Sequence, residues 1–390
     1  MTPDLFANDS QNWFIPGPVQ RRRLPAARGT RSTPASRLER IGFELGLDHA
    51  RFGIAPPRPH ALEASPLQIG WCAGVARFGD HTITPRPAVR QWLQLRVHAW
   101  LRALNVELLQ VTPSHLKQIE VSVCPILRET LGQGGERGLA ASVNRVRDDA
   151  GYAAGNLAVM SQRAHLAKAA HRCADAMAIA RRLETEALAC GVGALTCDGL
   201  TAAQWRRVAV LSSLVEPMAH ERACELPLLV LPPNRLRLFN PAQALQAFIS
   251  RQLLGAGWSQ RINALESLLS GEPARRAFRA FFQTLLPRVL EAGRHADAQQ
   301  LRWAIEDAWG HESVLQRWTR FVRQLSAAQC EQLIAQAASA QLSPQGVRIE
   351  HHASAPSTEG WCLETRGHVP TDAECDAPGA MPAIAELTLH

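Results

Sequence analysis

The apolar pattern of this chain runs at helical spacing over most of its length, and one stretch departs from it: "SVNRVRDDAGYAAGNLAVMSQRAHLAK", residues 142 to 168. "SVNRV" alternates and is β-branched at Val143 and Val146, "RDDAGYAAGN" is dense in turn formers, and "LAVMS" reads as a second short strand. Ser161 is placed to cap a helix opening with "QRAHLAK". The spacing predicts strand, long turn, strand, helix, preceded by a short element and a glycine-rich connection in "CPILRETLGQGG". The fold class expected is therefore mainly α, with a small ββα unit inserted near residues 120–170.

Helical signals flank this unit. Ser36 precedes "RLERIGFELGLDHARFGI", and "PAVRQWLQLRVHAWLRAL" puts Val89, Trp92, Leu93, Val97 and Trp100 on one stripe. Downstream, Leu166, Ala170, Met177, Ala180, Leu183 and Ala187 predict one long helix to about residue 190, broken by Gly191 and Gly193. Four further segments follow, opening at Thr201, Asn240, Glu272 and His311. Their alternation of arginine with aromatics, as in Trp205-Arg206-Arg207 and Arg317-Trp318-Thr319-Arg320-Phe321, reads as an aromatic core face backed by a solvated basic face. The expected organisation is a disordered basic arm over 1–35, a helical region over 36–112, the ββα unit with its extended helix over 113–190, an all-helical domain over 200–342, and a flexible acidic tail over 343–390. Beyond position 351 that tail has one arginine against six acids.

At 390 residues with 46% apolar content the chain can bury a sizeable core. Its net charge of +7 favours an anionic partner and permits nucleic acid. The nine cysteines are odd in number, scattered and free of any C-x-x-C pair, which argues against a disulfide framework and a zinc ribbon. The N-terminus lacks the order of a secretory signal and no apolar run reaches membrane-span length, so a cytoplasmic protein without a membrane partner is expected.

The order Cys124-Pro125, then Ser142-Val143 and Arg145, then Gly151-Tyr152, Gly155-Asn156, Val159 and Ser161, then Arg163-Ala164-His165 and Lys168 resembles the HNH class of His-Me finger endonucleases, in the variant whose first histidine is replaced by arginine. The likeness covers roughly residues 120–170. It implies a DNA-acting, metal-dependent hydrolase in which a pair at the end of the first strand holds a divalent cation (Mg²⁺ or Mn²⁺) and deprotonates water, while a helix residue completes the metal site. Those roles fall on Asn144, Arg145 and His165, with Asn144 and His165 as the metal ligands. Asn156 would pin the loop that Gly151, Tyr152 and Gly155 shape. Position 127 is leucine, so the structural zinc of many relatives is not expected and Cys124 reads as a packing residue.

The chemistry of the pair argues against turnover. An amide oxygen is a weaker ligand for a hard cation than carboxylate, and arginine stays protonated and cannot serve as a general base. His98 and His115 are upstream candidates for a replacement base, His171 lies off the His165 face, and Asp148 and Asp149 read as a solvated turn. The expectation is an HNH-like protein acting on or binding DNA, with Arg145, Arg163 and Lys168 as phosphate contacts. The alternatives are a non-catalytic nucleic-acid-binding or regulatory protein that keeps the scaffold, or a helical protein-interaction protein.

Overall fold

Helix dominates the computed structural model, which describes residues 34–58, 65–132, 138–191, 193–293, 295–342 and 358–370. Among the described residues there are fourteen α-helices and two antiparallel two-stranded sheets. The expected N-terminal arm lies outside the described residues, apart from Pro34 and Ala35 at the start of a helix. That helix, α1 (Pro34–Arg51), begins before the expected Ser36 and packs on α2 (Pro66–Phe78). Their backbones touch: a Cβ on Gly70 would lie 2.0 Å from the Phe43 carbonyl oxygen, and one on Gly46 would lie 2.2 Å from that of Leu67.

Helix α3 (Pro87–Leu101) joins this pair to the rest. Leu93 and Val97 pack with Leu45 and Leu67, whereas Leu95 and Ala99 pack with Tyr152, Leu157 and Val159. Arg96 is drawn into this boundary, 2.5 Å from Asp48 and stacked over the Trp92 ring. After the short α4 (Pro113–Ile119) comes the ββα unit: β1 (Ala141–Arg145), β2 (Leu157–Ser161) and α5 (Gln162–Lys168). The strands pair from Ala141↔Ser161 to Arg145↔Leu157, and Ser161 caps α5 by accepting from the Ala164 N–H.

The single helix expected to reach residue 190 is two helices. α5 stops at Lys168, Ala169 takes a φ of 41°, and α6 (Cys173–Cys190) starts afresh. No glycine or proline marks the break, so tertiary contacts override an alanine-rich local preference for helix. The Asp175 carboxylate accepts from the Arg172 N–H to open α6, whose buried face then packs on α7 (Ala202–Ser213).

The late helices are α8 (His220–Cys224), α9 (Pro241–Gln252), α10 (Trp258–Leu268), α11 (Glu272–Leu290), α12 (Ala298–Trp309), α13 (Glu312–Val322) and α14 (Ala327–Ser339). A two-residue hairpin, β3 (Thr196–Cys197) with β4 (Leu200–Thr201), precedes α7. In α9, ten of twelve residues are buried, and Gln243 donates to Ser213 Oγ and Gln246 to the Leu226 carbonyl. One continuous core runs from Cys124, Met160 and Ala164 of the ββα unit to Trp205, Phe281, Trp309 and Trp318. The boundary expected between residues 190 and 200 therefore separates chain segments that share a core.

The tail expected to be flexible from residue 343 needs correction at 358–370. Trp361 is fully buried, donates its indole N–H to the Ala154 carbonyl at 3.1 Å and meets Phe239 edge-on. Gly151 donates to the Trp361 carbonyl, Asn105 to that of Gly367, and Val369 to that of Ala103. A buried tryptophan supplies enough apolar surface to hold a segment whose overall composition is polar. The remainder of that tail, 343–357 and 371–390, lies outside the described residues.

Candidate functional site

The long turn between β1 and β2 is built by hydrogen bonds rather than left to solvent. Asn156 accepts from the Arg147 N–H at 2.8 Å and donates to the Arg147 and Gly151 carbonyls. Gly155, at a φ of 87°, passes so close to Arg237 that any Cβ would strike its side chain. At Gly151 a Cβ would lie 2.9 Å from the Asn105 carbonyl oxygen, and Tyr152 is buried beneath α3, where burial pushes its phenol upward against the pull of Arg145.

Arg145, at the position of the expected base, turns into this loop. Its guanidinium donates to the Asp148 and Ala150 carbonyls at 2.9 and 2.8 Å, pairs with the Asp148 carboxylate at 2.9 Å, and lies over the Tyr152 ring. The Asp148–Asp149 turn, expected to be solvated, is ion-paired: Asp149 bridges Arg147 and Arg172. Burial works to raise the Asp149 carboxyl, and the Arg147 hydrogen bond with the charges of Arg147 and Arg172 overcomes it, leaving the group below the usual carboxylate range. These pairings fit the chain locally because "RVRDD" places each arginine within three residues of a carboxylate.

His165 projects from α5 into a cleft of about 220 Å³ walled by Gln94 and His98 of α3 and by Ser142 and Val143 of β1, with Tyr152 among its lining residues. Ser142 Oγ and His165 Nδ1 lie 2.7 Å apart, which orients the imidazole. Burial, then the charges of Lys168, His98 and Arg102, pull His165 down to about 4 against the opposing effect of Asp148. It is therefore a neutral ring at physiological pH. His98 meets Arg102 at 2.5 Å and is also held below its ordinary value, first by burial and then by Arg102 and Arg145.

The other expected site residues stand apart from this cleft. Asn144 is buried, and its side-chain oxygen has no hydrogen-bond partner among the described residues. Lys168 is 1% exposed, with its ammonium donating to the Arg145 and Ala169 carbonyls at 3.4 Å. Burial chiefly, with Arg145, lowers it to about 8 while Asp148 and Glu216 oppose. An amine so enclosed cannot touch an external phosphate while the fold holds. Arg163 is accessible on α5 and paired with Glu129 at 2.9 Å. His115 is buried on α4, and His171 packs edge-on against Trp205.

The divalent cation implied by the family resemblance meets a poor donor set. His165 offers one free ring nitrogen, Asn144 one neutral oxygen, and the nearest acid, Asp148, is taken by Arg145. Among the described residues no three His, Cys, Asp or Glu side chains come together, and the surrounding Lys168, Arg102 and Arg145 oppose added positive charge. Hard cations are held by carboxylate oxygens, so these residues do not fit one. Cys124, buried, accepts from the Leu127 and Ser161 N–H groups.

Of the upstream histidines that could replace a base, the fold brings His98 into the cleft and leaves His115 buried on α4; Ser142, a scaffold position in the family resemblance, also lines it. The chain matches no family model, no curated protein and no solved structure.

Proposed function

We propose that this protein binds nucleic acid through its phosphate backbone at the α3–ββα cleft, and that it does not hydrolyse its ligand by the metal route of the nucleases its ββα unit resembles. The observation that carries this reading is the composition of the cleft: imidazole, hydroxyl and amide groups with no carboxylate among its lining residues, and Arg102 in contact with the lining His98. Phosphate oxygens accept from such donors, and the positive charge of Arg102 beside them favours an anion. The position that would hold the water-activating base carries instead a permanent cation tied into its own loop.

The reading is tested by fluorescence anisotropy of a labelled duplex over a series of salt concentrations, with the double variant His98→Ala/His165→Ala. Loss of two phosphate contacts is expected to weaken binding by about tenfold per contact. Mg²⁺-dependent nicking that disappears in His165→Ala would instead return the protein to the hydrolytic class. Binding that shows no salt dependence at all sinks the nucleic-acid reading.

A further inference from the structure

A second basic feature lies in the C-terminal helices. α11 and α13 pack through Phe278, Phe281, Trp318 and Phe321, which are fully buried, and their outer rims leave a cleft of about 430 Å³. Arg276, Ala277 and Ala280 line one wall; Arg317, Arg320 and Gln324 line the other. All three arginines are exposed and no acid is among the lining residues.

The charge balance here is unusual for this region. Arg279 pairs with Glu266, Arg288 with Glu291, Arg302 with Glu306, and Arg323 with Glu225. By contrast, the Arg317 and Arg320 side chains have no ion pair among the described residues, and Arg276 reaches Glu272 only at 4.0 Å. On α13 the positions three and four residues from Arg317 and Arg320 are serine, valine, glutamine, phenylalanine and further arginine. Like charges at that spacing repel, so the helix carries an electrostatic cost that a bound anion would relieve. The alanine wall leaves room for a ligand to approach the guanidinium forks, which match phosphate geometry in pairs.

We infer that this cleft is a phosphate-binding site for a chain of linked phosphates, with a nucleic-acid backbone as its carrier; the carrier, though not the site, rests on the function proposed above. With Trp318 and Phe321 buried in the core, the cleft offers no ring for a base to stack on. Contact is with the backbone and indifferent to base sequence.

The test uses the full chain, the double variant Arg317→Gln/Arg320→Gln, and Arg288→Gln as a control on an arginine that already has its carboxylate. Glutamine keeps the helix preference, and a thermal melt verifies folding. Tripolyphosphate, followed by calorimetry, reads the site without any nucleic acid; the double variant is expected to bind it at least tenfold more weakly than the wild type or Arg288→Gln. With a duplex oligonucleotide, the slope of log affinity against log salt should shrink by about 1.8, roughly 0.9 for each lost contact. Unchanged tripolyphosphate affinity in the double variant overturns the site. Lost tripolyphosphate binding with no duplex binding by the wild type upholds the site and overturns nucleic acid as its carrier, and with it the function proposed for the first cleft.

Discussion

Replacing Lys168 with methionine separates the cost of a buried ammonium from any benefit it confers. The side chain is 1% exposed and its two acceptors stand at 3.4 Å, the long end of hydrogen bonding. Burial is the main cause of its fall from 10.5 to about 8, a displacement that corresponds to about 3 kcal/mol between the charged and neutral forms. Because the folded value is the lower one, the unfolded chain binds more protons between pH 8 and 10.5, and the wild type should gain stability over that window. Below pH 8 both states carry the charge and the cost is fully present. Methionine matches the length and helix preference of lysine without a charge. Subtracting about 1 kcal/mol for each lost hydrogen bond leaves a net stabilisation of about 1 kcal/mol at pH 7. Urea unfolding at pH 7, 9 and 10.5 measures it, and the difference between the two proteins cancels the other groups that titrate in this range. The variant should be the more stable at pH 7 and should lose its advantage by pH 10.5. A variant less stable than wild type at pH 7, by an amount unchanged at pH 10.5, would refute the reasoning, since the amine would then stabilise the fold whatever its charge.

Other parts of the structure yield equally definite expectations. Trp361→Ala should cost about 3 to 5 kcal/mol by equilibrium unfolding and should expose the Gly151 amide to hydrogen exchange, because the 358–370 segment is anchored chiefly through that ring. Gly70→Ala should destabilise by about 3 kcal/mol or separate α1 from α2, since backbone rather than a flexible side chain occupies the space a Cβ needs. Neutral His165 should supply stability that is complete above its unfolded value near 6.5 and falls by about 3 kcal/mol as pH drops through 4; His165→Gln should remove that dependence in acid unfolding monitored by circular dichroism.

The sequence carried the ββα unit because everything that specifies it is local. The alternation of "SVNRV", the turn formers, and Ser161 as a cap all act within a few residues, and strand pairing, loop pinning by Asn156 and capping follow. The helices opening at Thr201, which caps through its side chain, and at Asn240, followed by Pro241 at the first helical position, were legible for the same reason. The break at Ala169 was not, since alanine-rich sequence there favours helix and only contacts distant in the chain oppose it. Helix α2 was missed although it carries a Gly70-x-x-x-Gly74 spacing matched by Gly42-x-x-x-Gly46 on α1; that paired pattern, a place where two backbones can meet, was the signal available. The candidate cleft was half legible. His165 sits in the motif, but His98 arrives from a helix whose docking depends on Tyr152, and the docked Trp361 segment depends on a pocket no local pattern describes.

The placement of Arg145 bears directly on what the unit can do. A general base must present a lone pair to the cleft, whereas Arg145 directs its donors to Asp148 and Ala150, and its charge adds to burial and Arg102 in lowering His98. Placing histidine there would therefore not by itself supply a base. The shorter ring would leave the Ala150 carbonyl and the Asp148 carboxylate without their partner, and an unpaired polar group in a partly buried loop costs about 1 to 3 kcal/mol. Asp148, released, would be free to accept a cation. Arg145→His should thus lower stability by that amount in Mg²⁺-free buffer and regain part of it when Mg²⁺ is added, as thermal melts would show; wild type should be indifferent to the ion. A loss that Mg²⁺ leaves untouched would mean that Asp148 and the new ring cannot together receive a cation, so that converting this loop to a metal site would require rebuilding its backbone as well as one side chain.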